Sequence, residues 1–173
     1  MLTLDELKKL CVDSQVYDIC APVLEDPRLQ TWPLNCTDDR YHSYPGGLLL
    51  HLCEVISSGI LLCNLYLVYF KVDINVKEFL IGAVWMYYGK FFVMQPTNTD
   101  TWTVDTLRSA QAISVSEFSR HFCHLQAESA ESLETLHGVS YEKIITLISG
   151  VDSISTESTL LKTTTTLSQT LHT

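Results

Sequence analysis

The chain has 173 residues, 46% of them hydrophobic and 18% charged, and a formal net charge of −9. That length suits one domain with a sizeable core, and that composition excludes a mostly disordered chain. Only 11 Lys and Arg stand against 20 Asp and Glu, so nucleic acid is an unfavourable partner, because backbone phosphates call for clustered cations.

The opening LDELKKLCVDSQVYDICAPVL sets Leu4, Leu7, Leu10 and Cys11 on one helical stripe, and Pro22 is expected to stop the helical stretch beyond that stripe. Residues 1–31 read as a helical segment packed on a core domain that occupies 32–173. Residues 25–47 hold Pro27, Pro33, Pro45, Gly46 and Gly47, the densest punctuation in the chain, and predict a loop. The two glycines suit the turn into the next element, where positive φ and close backbone approach are needed.

From Leu48 to about Phe70 the pattern is one long helix. Its uncharged part, residues 55–70, falls short of the roughly 20 apolar residues a spanning helix needs, so a buried helix is expected and no membrane association. KVDIN turns the chain into VKEFLIGAVWMYYGKFF, a second apolar helix broken near Gly89, and MQPTNTDTWT reads as a polar loop. SVSEFSRHFCHLQAESAESLETLHG predicts a long amphipathic helix capped by Ser116 and stopped by Gly138, with Phe118, Phe122, Leu125, Ala130, Leu133 and Leu136 on one face. VSYEKIITLISG is a further short helix closed by Gly150, and the terminal TESTLLKTTTTLSQTLHT spaces Leu160, Leu161, Leu167 and Leu171 compatibly with another. No segment sustains the two-residue alternation of a sheet, so the fold class expected is all-α, a bundle of about five to seven helices.

Six cysteines without a CxxC pair read as reduced thiols, three of them inside apolar segments. MLTLDELKKLCVDSQ carries acidic residues and lysines where an export signal needs a basic start and an apolar core. Both features predict an intracellular, cytoplasmic protein.

Four blocks in order carry a resemblance: YHSYPGGLLLHLCEV, VWMYYGK, HLQAESAESLETLHGVS and IITLISG. Together they are similar to the HD-domain superfamily of metal-dependent phosphohydrolases. The first block resembles the HH-x-Y-P-G-G-L-x-x-H pattern of its phage, plasmid and exoribonuclease relatives. The likeness runs from about Trp32 to the C-terminus, and it implies an HD-like helical bundle. In that family a histidine, an adjacent His-Asp pair and a later aspartate hold a divalent ion, which acidifies a bound water for attack on phosphorus.

Residue by residue, the resemblance places His51 at the first ligand and His124, with His121 one turn before it, at a second metal or phosphate position. His42 reads equally as a loop residue that hydrogen bonds locally or as a substrate contact, and Lys90 as a lysine snorkelling at a helix end or as a phosphate contact. The His-Asp pair falls on Met86 and Tyr87, a thioether and a phenol, neither of them a fit ligand for Mg²⁺, Mn²⁺ or Fe. Val151 and Asp152 replace a histidine pair, and the final aspartate is absent after His172, as though the domain were truncated at its C-terminus. The implied protein is therefore a catalytically inactive scaffold, subunit or ligand-sensing module with no cofactor and a protein partner or a second copy of itself. The alternative is an active phosphohydrolase on nucleotides or nucleic acid. It would use Mn, Mg, Ni or Fe held by His51, His121, His124 and either Asp152 or Glu54.

Overall fold

The computed structural model describes residues 2–35, 42–98, 101–105, 107–150 and 163–165. The architecture is all-α. Nine α-helices occur among the described residues, more than the five to seven expected. Three of them, Arg28–Thr31 (α3), Lys90–Val93 (α6) and Leu133–His137 (α8), are single turns of four or five residues inside stretches that the sequence marks as loop or as part of a longer helix.

The first two helices, Leu4–Asp13 (α1) and Tyr17–Leu24 (α2), bury Leu7, Cys11, Ile19, Cys20, Val23 and Leu24. Thr3 and Glu6 close a capping box at the start of α1, satisfying two N–H groups that the first turn leaves without partners. Pro22 lies inside α2, not before a break, and the helix runs two residues past it. A proline supplies no N–H to the carbonyl four residues earlier, so Asp18 C=O is released from the helix ladder and can accept elsewhere.

The long fourth helix, Gly47–Leu65 (α4), continues into a π-helical turn, Tyr66–Phe70, that ends at Lys71 with φ +57°. By length and composition alone Gly47–Phe70 could cross a membrane. Its buried residues, however, are Gly47, Leu48, His51, Leu52, Cys53, Val55, Ile56, Gly59 and Cys63, and the π-helical turn buries none. The expectation of a helix buried on most sides therefore holds for its first half only.

Val76–Met86 (α5) is the axis of the core. Asn75 caps it by accepting from the N–H groups of Lys77 and Glu78, and every residue from Glu78 to Trp85 is buried. A helix apolar on all faces needs neighbours on all faces. α5 finds them in α2, α4, the helix Ala110–Glu128 (α7) and the helix Tyr141–Ser149 (α9). Trp85 reaches across to α2, where its indole N–H donates to Ile19 C=O at 3.0 Å.

Two differences from the sequence reading have local causes. Two strands occupy most of MQPTNTDTWT, where the sequence predicts a loop: Met94–Asn98 (β1) pairs antiparallel with Thr101–Val104 (β2), and Trp102 in the second strand packs edge-on against Trp32 at 4.9 Å. Thr, Trp and Val suit a strand, but four residues are too few to show alternation. The helix expected from Ser116 begins earlier, with Ser109 as its cap accepting from Ala112 N–H, and it stops at Glu128. Residues 129–132 then separate it from α8. Gly138 and Gly150, both in the left-handed region at φ +66° and +62°, end α8 and α9 as the sequence implies.

Candidate metal centre

The Pro-Gly-Gly turn builds the site. Gly46 takes φ +83°, a conformation that L side chains rarely adopt, and so reverses the chain into α4. At Gly47 a Cβ would overlap the backbone carbonyl of His42, so the absence of a side chain lets the preceding loop lie directly on the first turn of the helix. His42 itself has φ +49° and is 3% exposed. The punctuation read as a turn therefore also delivers an imidazole to the face of α4.

That face carries His51 and, three residues on, Glu54, a spacing that stacks two side chains on one side of a helix. His51 is 1% exposed. His42 Nε2–H donates to Glu54 Oε2 at 3.0 Å, and the Tyr44 hydroxyl lies 2.8 Å from His42 Nδ1. Burial and then the Glu54 carboxylate push the Tyr44 phenol above its usual value, so it remains an O–H group. His51 Nε2 is hydrogen bonded to the Tyr87 hydroxyl at 2.7 Å, with the two rings edge to face at 5.0 Å. The His42 and His51 rings lie 6.0 Å apart.

Among the described residues, His42, His51 and Glu54 are the one group of three whose ligand atoms converge, all within 4.8 Å of one another. Two imidazoles and a carboxylate are a donor set suited to a borderline divalent ion. Met86 and Tyr87 are not, and Tyr87 instead spends its hydroxyl on His51. Met86 is half-buried at the end of α5, where its carbonyl accepts from Ser114 Oγ at 3.3 Å.

The other histidines stand elsewhere. His121 Nε2–H donates to the Asp18 carbonyl that Pro22 releases, at 3.0 Å, and its ring stacks on Trp85 at 5.9 Å. His124 is exposed, 3.5 Å from Glu128 in the next turn. Neither joins the His51 group. Lys90 Nζ donates to the Leu34 carbonyl and to Asn35 Oδ1, and lies 5.8 Å from the centre of the Tyr87 ring. It also lines a cavity of about 210 Å³ with Leu34, Asn35, Val93 and Met94. Asp152 and His172 lie outside the described residues.

Tyr44 and the pairing of His42 with Glu54 went unread in the sequence. The signal available was the His51/Glu54 spacing together with a glycine pair that needed something to lie against it. Of the cysteines, Cys11, Cys20, Cys53 and Cys63 are buried and Cys123 is exposed. The chain matches no protein-family model, no curated protein and no solved structure.

Proposed function

We propose that the chain is an HD-domain-like helical module without hydrolytic activity, working as a scaffold, a subunit or a ligand-sensing unit. One observation carries this reading: the Tyr87 hydroxyl, at the position where the family resemblance calls for a carboxylate ligand, is hydrogen bonded to His51 Nε2 at 2.7 Å. A phenol is neutral near pH 7 and contributes no charge to offset a hard dication. Both imidazoles are buried, which leaves a phosphodiester little access to an ion between them.

The second reading, an active metal-dependent phosphohydrolase, draws on the convergence of His42, His51 and Glu54. One assay separates the two. Tag-free protein is offered bis-p-nitrophenyl phosphate with Mn²⁺, Ni²⁺ or Mg²⁺, and turnover is compared with that of His51→Ala. The expected result is no turnover above the variant. Turnover that His51→Ala abolishes would establish the enzyme and overturn the inactive module.

A further inference from the structure

We infer that His42, His51 and Glu54 bind one borderline transition-metal dication of the zinc, cobalt or nickel class, in a site that keeps one expected ligand and replaces the other two. The inference rests on the non-hydrolytic reading above, since the ion is given a structural place and no substrate. The resemblance leaves His51 without the imidazole and the carboxylate of a His-Asp pair. The fold supplies one of each from the opposite direction, His42 from the loop before Gly46 and Glu54 from the next turn of α4.

The geometry is close to that of a loaded site. Ligands about 2.0–2.1 Å from a tetrahedral ion stand roughly 3.3 Å from one another. His42 Nε2 and Glu54 Oε2 already lie 3.0 Å apart. The widest separation in the group, 4.8 Å at most, closes to that spacing with a shift of roughly 1.5 Å, within reach of side-chain rotation. The ion takes the place of the proton now shared by His42 Nε2 and Glu54, and that proton moves to Nδ1, which then donates to the Tyr44 hydroxyl oxygen. At His42 the Tyr44 hydroxyl meets Nδ1, the nitrogen that does not face Glu54, in the manner of the outer hydrogen bonds that orient metal-bound histidines. Two imidazoles disfavour Mg²⁺ and Ca²⁺, which take oxygen ligands.

The test uses tag-free protein stripped with chelator, then titrated with Zn²⁺ and with Ni²⁺. Bound metal is measured after gel filtration and thermal unfolding is followed in parallel. One equivalent should be retained, and the midpoint should rise with free-ion concentration. Glu54→Gln should weaken retention by at least about tenfold, as loss of a carboxylate ligand requires, whereas His124→Ala should change nothing. Should Glu54→Gln fail to fold by circular dichroism, His42→Gln makes the same test. Absence of both retention and thermal shift at millimolar ion overturns the site. So does retention that survives the ligand variants, or that His124→Ala abolishes. Hydrolysis by the loaded protein would overturn the inactive reading and leave the metal site standing; an ion-free protein would do the reverse.

Discussion

The two halves of the Gly47–Phe70 run are both largely apolar and opposite in surroundings, and the more apolar half is the one less buried. From Gly47 to Gly59 the helix lies between α3 and α5, and Leu48, Leu52, Val55 and Ile56 are at most 1% exposed. From Leu61 onward Leu61, Leu65, Leu67, Val68, Tyr69 and Phe70 all face outward, Tyr69 at 73%. Hydropathy does not decide which half is closed; neighbours do. The half that carries the polar cluster is also the half that is closed. That combination is physically coherent, because buried polar groups are costly unless hydrogen bonded, and His42 Nε2 has Glu54 and His51 Nε2 has Tyr87.

The comparison is broken most directly by substitutions in the closed half. Leu52→Ala should cost about 2–5 kcal/mol in urea unfolding, the usual range for a fully buried leucine reduced to a methyl group. Gly47→Ala should cost about 1–3 kcal/mol, because a Cβ collides with the His42 carbonyl and the loop must lift from α4. That variant should also separate His42 from Glu54 and so report on the site. If either variant is neutral, the first half is not the packed element described. Thiol chemistry gives a finer gauge. Burial, with Glu54 and then Glu6 adding to it, pushes the Cys53 thiol up to about 11, while Cys123 is exposed. Alkylation followed by mass spectrometry at pH 8 should modify the exposed Cys123 well before Cys53, whose burial both withholds the thiolate and blocks the reagent. Comparable rates would mean that the closed half opens readily.

What the sequence discloses about this region divides along the same line. Gly138 and Gly150 at helix ends, the glycine pair before α4 and the break of the second apolar helix just before Gly89 are all local signals, set by φ angles and missing side chains within a few residues. They were legible. Pro22 misled because proline usually ends a helix; here its lost hydrogen bond leaves the Asp18 carbonyl to His121, a partner more than a hundred residues away. The hairpin at Met94–Val104 was hidden because its strands are short and Trp102 gains its place from Trp32. The candidate site was half legible. His51 stood out as a histidine among leucines, and the replacement of a ligand pair by Met86 and Tyr87 was plain in the residues. The contact between Tyr87 and His51 spans α4 and α5, and the approach of His42 to Glu54 depends on how the loop folds back. Neither is a property of any short stretch.

Within the cluster the next effect down is Tyr87→Phe, which removes the hydroxyl from His51 while leaving the ring. It should cost about 1 kcal/mol, the net worth of one hydrogen bond, because the half-buried ring keeps its packing. A loss much above that would mean His51 Nε2 is left buried and unsatisfied, at the full desolvation penalty of that atom.

The smallest effects belong to the outward half, and they are the sharpest check on the comparison because the residue types match those that are costly a few turns earlier. Leu67 is 49% exposed and Phe70 68%, against 1% for Leu52. Leu67→Ala and Phe70→Ala therefore remove side chains that keep about half or more of their surface in water, and each should shift stability by no more than about 0.5 kcal/mol. The pair Leu52→Ala and Leu67→Ala makes one experiment, since both change leucine to alanine on the continuous run from α4 into the π-helical turn and differ chiefly in surroundings. Equal costs would mean that the outward half is covered in solution, and the difference between the halves would then lie in the isolated chain alone.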